Sequence, residues 1–213
     1  MKNLLIIGQE VRDYYIKRFL EARDEALEFG DIELEMPLCD ESGDVKTEGR
    51  LATGAKIDIV IFSDDIPIRS INVDTQSMLD FRGASATLAD QAVTLFACQW
   101  NSLQISMNAV SVDSVEAALV AWFNDWFERE DENLAPLFGC VHFIADPIWN
   151  GSRGKTTIDM GSSPVAALIE LIGALQSVGA SEIEIGAPSA AASASEIPRL
   201  CNSDSRSDGS ESQ

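Results

Sequence analysis

The chain has 213 residues, 46% hydrophobic and 23% charged, enough to bury a core as one large domain or two small ones. Thirty-five acidic residues stand against 15 basic ones, a net charge of −20. A field of that sign repels phosphate and argues against direct binding to nucleic acid or an anionic membrane.

In chain order, the apolar run at Asn3 to Ile7 predicts a first strand, too short for a signal peptide or a membrane span. Val11, Tyr14, Tyr15, Phe19, Ala22 and Ala26 recur at helical spacing and predict a helix from Gln9 to Phe29, stopped by Gly30. The alternating DIELEMPL reads as a strand, and CDESGDVKTEGRLATG reads as a long loop because Gly and charge interrupt any period. KIDIVIF predicts a strand that ends at the acidic corner Asp64-Asp65, and Ile66 to Val73 predicts another.

AVTLFAC and LQISMNAV read as strands joined by a turn at QWNS. Asp113 with Glu116 three residues on has the form of a capping box for a helix with Val115, Ala118, Leu119, Trp122, Phe123, Trp126 and Phe127 on one face. The two tryptophans are expected to face a sheet, with part of this wide stripe left for an interface. FGCVHFIA and KTTIDMG read as strands. SSPVAALIELIGALQSVGA reads as a helix with Ser163 as N-cap, Pro164 at its first position and Gly179 just past its end, by the usual asymmetry of helix ends. SEIEIGA is the final strand.

Residues 103 to 187 therefore spell β-α-β-β-α-β, the element order of a ferredoxin-like fold. The expected class is α+β, with a ferredoxin-like C-terminal half at 86–187 and a smaller N-terminal α/β unit at 1–85. Residues 188–213, rich in Ser, Ala and Asp, are expected to be a disordered tail.

GSRGKT at residues 151–156 looks at first like a phosphate-binding loop. A P-loop needs Gly six residues before the Lys, where Trp149 stands, and a helix after it, where the β-branched TTID follows; the reading is instead a hairpin turn. Arg153 and Lys155 are nonetheless two of only three basic residues between 86 and 187, with Arg129. They make a locally positive spot able to clamp an acidic group.

The segments LLIIGQEVRDYYIKRFL and IDIVIFSDD partly resemble the Toprim pattern of DNA-processing enzymes, in which Glu-Gly-x-x-Asp opens a helix and a later strand ends in Asp-x-Asp. The resemblance implies a magnesium site at Glu10, Asp13, Asp64 and Asp65. It departs from the pattern at Gln9, which replaces the Glu, at Glu10, which replaces the Gly, and at the adjacent Asp64 and Asp65. Those two aspartates also suit a turn cap.

The cysteines, Cys39, Cys98, Cys140 and Cys201, form no CxxC pair, which argues against disulfides and zinc and fits a reducing, cytoplasmic setting. His142 is the single histidine and lies in an apolar segment, where a structural role is expected. No cofactor motif is present. The run Glu128-Arg129-Glu130-Asp131-Glu132 follows a helix C-terminus, where negative charge is locally unfavourable.

The expectation is a non-enzymatic cytoplasmic binding module of the inhibitor or immunity type. Its acidic face, Asp125, Glu128, Glu130, Asp131 and Glu132, would dock a basic protein, with Arg153 and Lys155 as the positive counterpoint. The alternatives are a metal-dependent phosphoryl-transfer enzyme using the N-terminal carboxylates, and a subunit that self-assembles through sheet edges.

Overall fold

A computed structural model describes residues 4–73, 84–88 and 91–186. It is a mixed α+β structure with three α-helices and two sheets among the described residues. The chain starts in helix α1, Leu4–Ala26, and not in a strand. The run Leu4-Leu5-Ile6-Ile7 splits between faces: Leu4 and Ile7 are buried with Val11, Tyr15 and Phe19, while Leu5 and Ile6 are half exposed. A four-residue apolar run has no period of its own, and the helix downstream extended backward through it. No described helix is long and apolar enough to cross a membrane.

The first sheet is the meander β1 (Asp31–Pro37), β2 (Lys56–Ser63) and β3 (Ile66–Ile71), antiparallel throughout. The expected long loop joins β1 to β2 and is pinned by Arg50, which contacts Glu116 and Pro147, and by Asp146, which accepts from the backbone N–H of Arg50 and Leu51. Ser63 pairs with Ile66, so Asp64 and Asp65 are the whole of a two-residue hairpin loop. Both have positive φ, 50° and 64°, the twist-matched turn that tolerates Asp.

The second sheet has the order β4 (Ala84–Leu88), β5 (Gln91–Leu95), β10 (Ser181–Ile185), β6 (Leu103–Asn108), β9 (Arg153–Asp159) and β7 (Phe143–Ile144), with β8 (Ile148–Asn150) also paired to β9. Only β5 and β10 run parallel. The β8–β9 connection is the hairpin turn expected at GSRGKT: Asn150 pairs with Arg153, and Gly151 supplies a φ of 60°.

Helices α2 (Val112–Phe127) and α3 (Val165–Ser177) pack against each other. Two expected caps moved. Ser111, not Asp113, is the N-cap of α2 and accepts from the Ser114 N–H. Glu116 makes no capping box, because it binds Arg50 and the Trp149 indole instead. Pro164, not Ser163, occupies the N-cap of α3, and the Ser163 hydroxyl donates to Met160 O. The C-terminus of α3 closes at Gly179 as expected, with Ala180 N–H returning to Leu175 O.

The two tryptophans also differ from expectation. Trp122 Nε1 donates to Ala167 O and Trp126 Nε1 to Glu170, so both lean on α3 because their N–H groups find partners there. Phe127 covers Gly54 and Lys56. Six members of the stripe, Val115, Leu119, Trp122, Phe123, Trp126 and Phe127, are buried within the chain, and Ala118 is half-buried. Buried residues from α1, β2, both later helices and the second sheet form one continuous cluster. The boundary expected near residue 85 falls inside β4. The expected tail, 188–213, lies outside the described residues.

Candidate functional site

Tertiary contacts bring together a set of ionisable side chains that are scattered in sequence. At its centre is His142, 0% exposed. Its Nε2 lies 2.7 Å from Glu35 Oε1, and its Nδ1 lies 2.8 Å from Asp58 Oδ1, off the line of a straight hydrogen bond. Glu35 and Asp58 face each other across β1 and β2, between the pairs Leu34–Ile59 and Met36–Ile57. Glu35 has a φ of 53°, an uncommon conformation for a residue with a side chain, and it is buried at 1% exposure.

Each carboxylate is further tied down. Phe138 N–H donates to Glu35 Oε2 at 2.5 Å and Ser162 N–H to Oε1 at 3.3 Å. Tyr15 OH donates to Asp58 Oδ1 at 2.9 Å and Val73 N–H to Oδ2 at 2.5 Å. The Cys140 thiol lies 3.5 Å from Glu35 Oε1, and Lys56 Nζ lies 3.2 Å from its sulfur. Asp159 accepts from the Gly161 N–H. A Cβ at Gly161 would strike the His142 ring, and its φ of 51° suits glycine. Arg12 fixes the same loop by donating to Ser162 O and Ser163 O.

The electrostatics follow from this packing. Burial alone would lower the His142 pKa, but its contacts with Asp58, Cys140 and Glu35 outweigh burial and hold it well above the usual value. His142 is therefore an imidazolium between carboxylates. Burial would raise Glu35, and the His142 contact, the Ser162 side chain and the Phe138 N–H together bring it below the ordinary range. Asp159 is pushed up to about 6, first by burial and then by Asp58 and Glu35, with His142 and the Gly161 N–H opposing. Burial and Asp58 push Tyr15 well up. Burial alone drives Cys98 up to about 12, which keeps it an unreactive thiol.

The residues singled out from sequence lie elsewhere. Glu10 and Asp13 are exposed on α1, Asp13 accepting from Gln9. With Asp64 and Asp65 in their hairpin, none of the four belongs to a cluster of three donors within 4.8 Å among the described residues. Arg153 reaches across β6 to pair with Glu184 at 2.6 Å and Glu182 at 3.9 Å on β10, and Lys155 is exposed on β9. Asp125, Glu128, Glu130 and Glu132 are exposed, and Asp131 is partly buried. Asp131 caps the short 3₁₀ turn Glu132–Leu134 through Asn133 N–H, which with the Asn133 side chain lowers its pKa.

This acidic run leads directly to the buried cluster. Asp131 N–H donates to Phe138 O, and the next residues supply Phe138 N–H to Glu35 and Gly139 N–H to Ser162 Oγ. Phe138 remains 37% exposed between two concavities. One of about 220 Å³ is lined by Glu130, Asp131, Glu132 and Pro136; one of about 400 Å³ is lined by Leu34, Glu35, Met36, Pro136 and Phe138.

Sequence reasoning missed Glu35, Asp58 and Asp159. Their one signal is an ionisable residue inside an otherwise strand-like segment, shared by IELEM, KIDIV and TTIDM. Comparison with protein-family models, curated proteins and solved structures gives no match to the chain.

Proposed function

We propose that the chain is a non-enzymatic, cytoplasmic protein-binding module that presents an acidic face to a basic partner, in the manner of an inhibitor or immunity protein. One observation carries this reading. Glu130, Asp131 and Glu132 line a concavity beside an apolar step at Pro136 and Phe138, with a second concavity on its other side, and the exposed Asp125 and Glu128 precede them at the end of α2. Such a patch offers an apolar anchor at its centre and charges at its rim to steer a basic surface into register. Arg129 stacks 4.1 Å from the Trp126 ring and Asp131 caps its turn, so the rim is held in shape before a partner arrives.

The nucleophile and base types of hydrolytic catalysis are sealed away, with His142 and Cys140 at 0% exposure. That supports binding over nucleophilic chemistry, which needs these groups within reach of a substrate. The strand order β10-β6-β9-β7, antiparallel at each step, supports a ferredoxin-like reading of the C-terminal half, extended by β4 and β5.

A second reading, self-assembly through a sheet edge, draws support from β3. It ends the first sheet and exposes Ile66 and Ile68 at 63% and 55%, although Pro67 removes a ladder donor from that strand. The mass in solution tests it: a monomer ends this second reading.

The experiment for the first reading is capture of a partner from host lysate at low and high salt, using the full chain and its Asp125→Asn/Glu128→Gln/Glu130→Gln/Glu132→Gln variant. Capture that weakens with salt and disappears in the variant is the expected result. Equal capture by both proteins at both salts rules the acidic face out.

A further inference from the structure

We propose that Glu35, Cys140 and His142 form a binding site for one divalent d-block ion, with zinc the best fit. One carboxylate oxygen, one sulfur and one imidazole nitrogen lie within 4.8 Å of one another, and all three residues are at most 1% exposed. This mixed donor set suits zinc, which accepts Cys, His and carboxylate ligands together. Cys140 and His142 stand two residues apart just ahead of β7, and their ligand atoms converge with that of Glu35.

The surroundings match what a metal-bound histidine requires. Ligand histidines hold their second ring nitrogen on a carboxylate, which fixes the tautomer and aims the first. Here His142 Nδ1 sits 2.8 Å from Asp58 Oδ1, and Asp58 is itself held by Tyr15 OH and Val73 N–H. Lys56 Nζ lies 3.2 Å from Cys140 Sγ, on the sulfur that would face the ion.

Ligand atoms around tetrahedral zinc stand about 3.3–3.6 Å apart, given bonds of 2.0–2.3 Å. The 3.5 Å between Glu35 Oε1 and Cys140 Sγ already fits. The 2.7 Å between Glu35 Oε1 and His142 Nε2 is a proton-sharing contact that opens by roughly 0.6 Å when the ion replaces the proton. Glu35 also lines the groove of about 400 Å³, the side from which an ion would reach the buried donors.

This inference goes beyond the partner-binding reading and stands whether or not a partner exists. The test loads the full chelator-stripped chain with zinc, then with cobalt as a spectroscopic substitute. Expected are one equivalent of bound zinc and a thiolate-to-cobalt charge-transfer band. The band persists in a Cys39→Ser/Cys98→Ala/Cys201→Ser variant, which keeps Cys140 as the single thiol, and disappears in Cys140→Ser. Asp58→Asn weakens zinc binding 10–100-fold through the histidine. A wild-type chain that binds no zinc and shows no band overturns the proposal, as does a band that survives Cys140→Ser.

Discussion

The chain carries two concentrations of acidic side chains, and they are handled in opposite ways. Glu35, Asp58 and Asp159 converge on one imidazolium in the interior, with hydrogen bonds to tyrosine and backbone N–H groups. Asp125, Glu128, Glu130 and Glu132 stand in solvent at the end of α2. Buried charges must be paired because the interior solvates them poorly, whereas exposed charges are stabilised by water and need no partner. The first set therefore ties fold stability to its pairing and its protonation. The second set costs stability little, and its value lies in how it meets another molecule.

The comparison is broken most severely at His142. His142→Ala leaves Glu35 and Asp58 facing each other without the cation between them, and a loss of about 3–5 kcal/mol is expected in denaturant unfolding. A milder cut sharpens the same point. Tyr15→Phe removes one donor to Asp58 and should cost about 1.5–3 kcal/mol, as for hydrogen bonds to charged groups.

Acid titration separates the members of the cluster by sign. Asp159 has its folded pKa raised to about 6 from an ordinary 3.8. Its proton is bound more tightly in the folded state, so its contribution is fully present below about pH 4 and is lost as pH rises through about 6. Glu35 is lowered and acts in reverse, adding stability above its ordinary pKa. Asp159→Asn should therefore be nearly neutral at pH 4. At pH 7 it should be more stable than the native chain by roughly 1–2 kcal/mol, discounted for partial exposure. Equal stability of the two proteins at pH 7 would remove Asp159 from the account.

The smallest stability effect belongs to the exposed set. Neutralising Asp125, Glu128, Glu130 and Glu132 together should move the unfolding free energy by no more than about 0.5 kcal/mol per site. The direction is upward, because these acids lie at the negative end of α2. The same variant is expected to lose partner capture completely, so stability and binding part company there.

Much of the secondary structure was readable in the sequence. The alternation in DIELEM, the apolar face of α2, the Pro and Gly that bound α3, and the hairpin at Gly151 each obey a local rule, and each appears. The errors share a cause. Leu4 to Ile7 is too short to show a period, so its helical state was fixed by the turns after it. Asp113 and Glu116 have the spacing of a capping box, but Arg50 and Trp149, distant in sequence, claim Glu116. Trp122 and Trp126 were legible as buried, yet which neighbour they bury against depends on where α3 lies.

The sequence alone determined the net charge, the exposed acidic run and the failure of GSRGKT as a phosphate loop, because these follow from composition and spacing. Only the tertiary structure decided that Glu35, Asp58, Cys140, His142 and Asp159 share one site. Glu35 and His142 are 107 residues apart, and no local rule relates a carboxylate in a strand to a histidine that far along the chain. Sheet register, the turned backbone at Glu35 and the space left by Gly161 bring them together, and burial then turns ordinary side chains into a coupled charge cluster.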